Sequence, residues 1–131
     1  MLSEIMEGKN EAVVAFSRQY YRVFRRYTIS AMTLAEIQAG LTYAPRAKDL
    51  QYFAAIEPLI EILPIEKDEA MTAGRITGML KAIGQTIERF DPIIAATAVE
   101  QGLPLATGNT RHYQRIVDLG FPLELENWRD A

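Results

Sequence analysis

At 131 residues, with 49% apolar and 24% charged side chains, the chain is long enough for one packed core and short for two domains, so a single domain over residues 1–131 is expected. The absence of cysteine removes disulfides and thiolate metal sites, which leaves any metal to oxygen ligands or to the single histidine, His112, and favours magnesium or manganese over zinc. A net charge of −3 argues against a non-specific nucleic-acid coat but not against an acidic site that meets phosphate through divalent cations, and with no signal pattern or ~20-residue apolar span a soluble cytoplasmic protein, with no membrane partner, is expected.

In chain order, the spacing of Val14, Phe16, Tyr20, Val23 and Phe24 predicts a helix over Glu11–Arg26, its aromatic residues Phe16, Tyr20, Tyr21 and Phe24 mostly facing a core. A short strand follows at Tyr27–Ala31. Thr33 with Glu36 three residues on has the spacing of a capping box, and predicts a helix over 33–43. Leu50, Phe53, Ile56, Leu59 and Ile60 predict a helix over 48–62, kinked at Pro58, with a buried strand at Ile62–Ile65. Asp68 opens a further helix that stops at Gly84. Asp91 and Pro92 have the pattern of an N-cap and first helical residue, and predict a central apolar helix ending at Gly102. Strands at Leu103–Thr107 and Leu123–Trp128 flank a short helix over Thr110–Asp118.

Strands alternating with helices imply a parallel sheet covered on both faces, with binding sites at the carboxyl ends of the strands. Glu36, Asp91 and Asn109 all fall at such positions. Each also has a purely structural reading: Glu36 closes a capping box, Asp91 caps its helix, and Asn109 in Gly-Asn-Thr fills a turn. His112 has a reading as a general acid or ligand, but the favoured one is a surface or partly buried residue beside Tyr113. A small metabolic enzyme is disfavoured because the chain has no Gly-rich phosphate loop and no nucleophile elbow.

Three blocks taken together, Thr33-Leu-Ala-Glu36-Ile-Gln-Ala-Gly40, then Gly84-Gln-Thr-Ile87-Glu-Arg-Phe-Asp91-Pro-Ile-Ile-Ala-Ala-Thr-Ala98, then Leu105-Ala-Thr107-Gly-Asn109-Thr110-Arg-His-Tyr113, resemble a PIN domain of the VapC type. The resemblance implies an α/β, three-layer fold with a mostly parallel sheet flanked by helices. It also implies a metal-dependent endoribonuclease cutting single-stranded RNA with Mg2+ or Mn2+, a toxin of a type II toxin–antitoxin system, silenced by a cognate antitoxin protein and forming a homodimer. Glu36 and Asp91 match the family's second and third acids as metal ligands, and Asn109 matches the position that often bears a fourth. Thr107 and Thr110 match polar positions beside the acids, suited to water or phosphate, though a turn or helix cap explains Thr110 equally well. Arg111 and Arg89 flank the proposed rim and are candidates for phosphate, beside the ordinary reading of both as solvated surface.

In the family an apolar strand ending in an aspartate precedes a segment like Leu2-Ser-Glu-Ile5, so by that pattern the first strand and first catalytic aspartate are missing here and activity is expected to be impaired. The competing expectation is a catalytically inactive PIN-fold module for binding or dimerisation, consistent with the uncharged Asn109.

Overall fold

The computed structural model describes residues 27–127, which fall into two units, one ending at Leu63 and the other running Pro64–Asn127. The predicted helix over Glu11–Arg26 with its aromatic stripe, the segment Leu2–Ile5, and Trp128 lie outside the described residues.

In the first unit, β1 (Tyr27–Ser30) pairs in parallel with β2 (Ile60–Leu63), with Ile29 opposite Ile62 and Ser30 opposite Leu63. Between them come α1 (Ala31–Tyr43), α2 (Ala47–Ile56) and a single 3-10 turn, Glu57–Leu59. β1 runs directly into α1 because Ser30 serves as both the last strand residue and the helix N-cap. Its Oγ accepts the Thr33 backbone N–H at 3.0 Å and also bonds the Thr33 hydroxyl at 3.0 Å. The helix therefore starts two residues before the predicted Thr33, and Glu36 sits exposed in its second turn instead of closing a capping box. Ile37 and Leu41 are the buried residues of α1, as their spacing predicts. Replacing Ser30 with Ala should cost about 1 kcal/mol, the usual value of an N-cap side chain. Urea denaturation of the two proteins would measure it, and no difference would mean that the hydroxyl does not hold this helix start.

The segment 48–62 departs further from expectation. Proline has no N–H and its ring clashes with the carbonyl four residues back, so Pro58 ends the helix instead of kinking it. The chain tightens into the 3-10 turn and then extends, and the strand occupies Ile60–Leu63, two residues earlier than predicted.

The second unit is built on an antiparallel helical hairpin, α3 (Lys67–Ala82) and α4 (Asp91–Gln101). Glu66, not Asp68, caps α3, and the Glu66 N–H donates to the Glu69 carboxylate at 3.2 Å. The other Glu69 oxygen accepts from the Gln101 amide at 3.1 Å, which satisfies a nearly buried carboxylate and ties the start of α3 to the end of α4. Along the hairpin, Ala95, Ala96 and Ala98 let α4 approach Ala73, Ile76 and Leu80 of α3 closely, because interaxial distance follows side-chain size at the contact. Gly102 ends α4 at φ +64°, a conformation in which a Cβ would be strained.

After α4, β3 (Leu105–Ala106) pairs in parallel with β4 (Leu125–Glu126) through the crossover helix α5 (Thr110–Asp118). Both strands are shorter than predicted, while α5 has the predicted bounds. Tyr113 and Ile116 of α5 and Leu123 complete the core of this unit. Among the described residues, no helix is long and apolar enough to cross a membrane.

Candidate active site

Asp91 is the first residue of α4, with Phe90 rather than Asp91 in the N-cap position. Its carboxylate does not cap its own helix. Oδ2 instead lies 2.8 Å from His112 Nε2, on the first turn of α5, with both side chains 17% exposed. This contact brings the start of α4 to the start of α5, two helix ends whose unpaired N–H groups and positive dipole ends favour a carboxylate or a phosphate.

The proton on His112 can be assigned from its second partner. Arg115 Nη2 lies 2.7 Å from His112 Nδ1, and a guanidinium can only donate, so Nδ1 must offer its lone pair. The ring hydrogen then resides on Nε2 and is donated to Asp91 Oδ2. Arg115 is itself fixed by two backbone carbonyls, that of Thr86 at 2.8 Å from Nη1 and that of His112 at 3.3 Å from Nε. The result is a hydrogen-bond chain running Thr86, Arg115, His112, Asp91. Behind it the buried Tyr113 ring meets the imidazole edge-on, at 5.6 Å between centroids and 86° between planes.

The loop between β3 and α5, with the first residues of that helix, carries most of the other predicted residues of this unit. Thr107 donates its N–H to the Glu126 carbonyl at 2.9 Å, and its hydroxyl oxygen accepts the Asn109 N–H at 3.0 Å. That bond uses a lone pair and leaves the hydroxyl hydrogen able to donate elsewhere. Asn109 holds the N-cap position of α5 at φ −110°, so it does not need the positive φ that a turn asparagine tolerates. Its carbonyl accepts the His112 N–H at 3.1 Å, while its exposed side-chain amide makes no capping bond. Thr110 opens α5 half-buried and Arg111 beside it is exposed. Arg89 sits over Phe90, its guanidinium carbon 6.0 Å from the ring centroid. Glu36 belongs to the first unit, on α1. Among the described residues, no group of three or more His, Cys, Asp or Glu side chains is arranged to hold a metal ion.

A family model described as the PIN domain matches residues 2–118. The chain belongs to the PIN-domain family. This PIN domain is 34% identical over 95 residues to Ribonuclease VapC1 of Rickettsia felis, covering 70% of this chain and 71% of that one. It is 26% identical over 121 residues to Ribonuclease VapC1 of Methanocaldococcus jannaschii, covering 92% and 87%. Among solved structures, it superposes on a chain of the DNA-bound VapBC of Salmonella typhimurium with a TM-score of 0.73 at 25% identity, covering 95% of this chain and 89% of that one. The resemblance drawn from the three sequence blocks is thus borne out for family and fold, and the PIN domain here is VapC-like.

Sequence reasoning weighed His112 and set it aside, and it did not single out Arg115. Their i, i+3 spacing on a short polar helix was a visible signal that they share a face. Nothing in a single sequence, however, indicates that this face meets Asp91, 21 residues earlier.

Proposed function

We propose that this chain is a divalent-metal-dependent endoribonuclease that cleaves single-stranded RNA as the toxin of a type II toxin–antitoxin pair, its PIN-like domain spanning residues 1–131. The observation that carries this reading is the Asp91 carboxylate, which is turned away from its own helix and held by His112 at the start of α5, the helix that Asn109 caps and Thr110 and Arg111 open. The names of the relatives support the nuclease class, and the likeness to a VapBC complex supports a protein antitoxin as partner.

The donor chemistry fits a hard cation. Asp91 and Asn109 offer a carboxylate and an amide oxygen, and the sequence contains no thiol. Glu36, assigned by the family motif, would supply the second carboxylate. Bound Mg2+ or Mn2+ supplies Lewis-acid neutralisation of phosphate charge and makes water a better nucleophile near neutral pH. Around it, Asp91 would hold its place through His112, and the Asn109 amide would orient water or a ligand. The Thr107 and Thr110 hydroxyls and the Arg111 guanidinium would take phosphate oxygens, the contacts that supply much of nucleic-acid affinity. A homodimer is proposed on the family resemblance alone.

The test is incubation of the full chain with end-labelled single-stranded RNA in Mg2+, Mn2+ or EDTA, alongside calorimetric titration with Mn2+. Internal cleavage that EDTA stops and excess Mn2+ restores is the expected result. Absence of both cleavage and Mn2+ binding would favour the second reading, a catalytically inactive module for antitoxin binding or dimerisation. The uncharged Asn109 is the observation that speaks for that alternative.

A further inference from the structure

We infer that His112, held by Arg115, is the positioning residue for Asp91, fixing one carboxylate oxygen so that the other is presented to a divalent cation. The inference rests on the reading of Asp91 as a metal ligand and adds two residues to that site. Three observations carry it. First, a carboxylate at the first position of a helix has an alternative place to go, since the N–H groups of its own first turn attract it. In this structure Asp91 is drawn off that alternative by the 2.8 Å bond to His112 Nε2. Oδ1 has no hydrogen-bond partner among the described residues.

Second, the donor at Nε2 is enforced. An imidazole that merely lay near a carboxylate could present either tautomer, but Arg115 at Nδ1 can only donate, so it selects the form with its hydrogen toward Asp91. Third, Arg115 is not a loose surface cation. Its guanidinium is anchored on the Thr86 and His112 carbonyls, so both the rotamer and the direction of the chain are set by backbone atoms. The groups around His112 are therefore Asp91 on the α4 side, Arg115 on its own helix, and the Tyr113 ring edge. A ligating carboxylate commonly needs such a hydrogen-bonded partner to fix its orientation, and loss of the partner typically weakens metal binding about 10–100-fold.

Two measurements on the full chain test this. Because His112 is the only histidine, its imidazole 15N resonances can be read without ambiguity in the metal-free protein at neutral pH. The expected pattern is the Nε2–H tautomer in the wild-type chain, lost in Arg115→Ala; an Nδ1–H or doubly protonated ring in the wild type would overturn the inference. Calorimetric titration with Mn2+ is the second. His112→Ala should bind Mn2+ about 10–100-fold more weakly at an unchanged unfolding midpoint. His112→Gln, whose side-chain N–H can reach the same carboxylate oxygen, should recover most of that loss, a rescue that a merely structural histidine would not predict. If the wild-type chain binds Mn2+ and His112→Ala binds it equally well, the positioning role is wrong while the metal site stands. If the wild-type chain binds no Mn2+, the metal reading itself fails and takes this inference with it.

Discussion

Asp91→Asn should lower metal-dependent RNA cleavage by roughly a thousandfold, because a ligand charge worth several kcal/mol of transition-state stabilisation is removed and each ~1.4 kcal/mol is a factor of ten. The substitution isolates charge from shape. Asparagine keeps a carbonyl oxygen that can accept the same His112 N–H, and no bond within the α4 helix depends on the carboxylate. The unfolding midpoint should therefore stay near that of the wild type while Mn2+ binding disappears from the calorimetric trace. Cleavage within tenfold of the wild-type rate, at matched protein and metal concentration, would remove Asp91 from the metal site.

The second large effect is expected at Ile116, which has no solvent exposure and joins α5 to the α3–α4 core. It lies one helical turn beyond His112, on the helix that delivers the imidazole to Asp91. Truncation to Ala should cost about 2–5 kcal/mol through lost apolar transfer and the cavity left behind, whereas Ile116→Val should cost about 0.5–1.5 kcal/mol. Guanidinium unfolding monitored by circular dichroism measures both. Equal midpoints for the two variants would mean that this side chain is less enclosed than its neighbours imply.

Much of this architecture was readable from residue patterns, and the failures share a cause. The helix over Thr110–Asp118 has its predicted ends: a polar turn precedes it, and in the structure Gly120 at positive φ follows its last turn. The body of α1 followed from Leu34, Ile37 and Leu41. Its start did not, because Thr33 with Glu36 has the capping-box spacing, while Ser30 looked like a strand residue and proved to be both strand end and cap. Beyond Ile56, the apolar spacing of Leu59 and Ile60 continued a helical period by coincidence, and a short apolar run does not discriminate helix from strand. Proline decided the matter locally.

Asp91 and the Thr107–Arg111 segment were singled out through the order and spacing of motif blocks, and the structure places Asp91 against the helix that this segment opens. The orientation of the Asp91 side chain was not legible. From sequence it had a satisfactory local role as a helix cap, and only the three-dimensional meeting of α4 with α5 gives it another. His112 was read as an ordinary histidine beside Tyr113 for the same reason, since its two hydrogen-bond partners, Asp91 and Arg115, are set by tertiary contact and by a rotamer.

Thr86, midway along the connection between α3 and α4, and Asp91, at the start of α4, stand only five residues apart, and α5 grips both: Arg115 at the Thr86 carbonyl and His112 at the Asp91 carboxylate. The connection is in effect a closed ring, with a fixed circumference. Within it Ile87 packs against the core, whereas Glu88, Arg89 and Phe90 are exposed and more open to variation during evolution or engineering. An inserted or deleted residue is a different matter, because it would leave one of the two grips unfilled. Homologues that keep the histidine–arginine pair should accordingly vary this connection in spelling but conserve it in length.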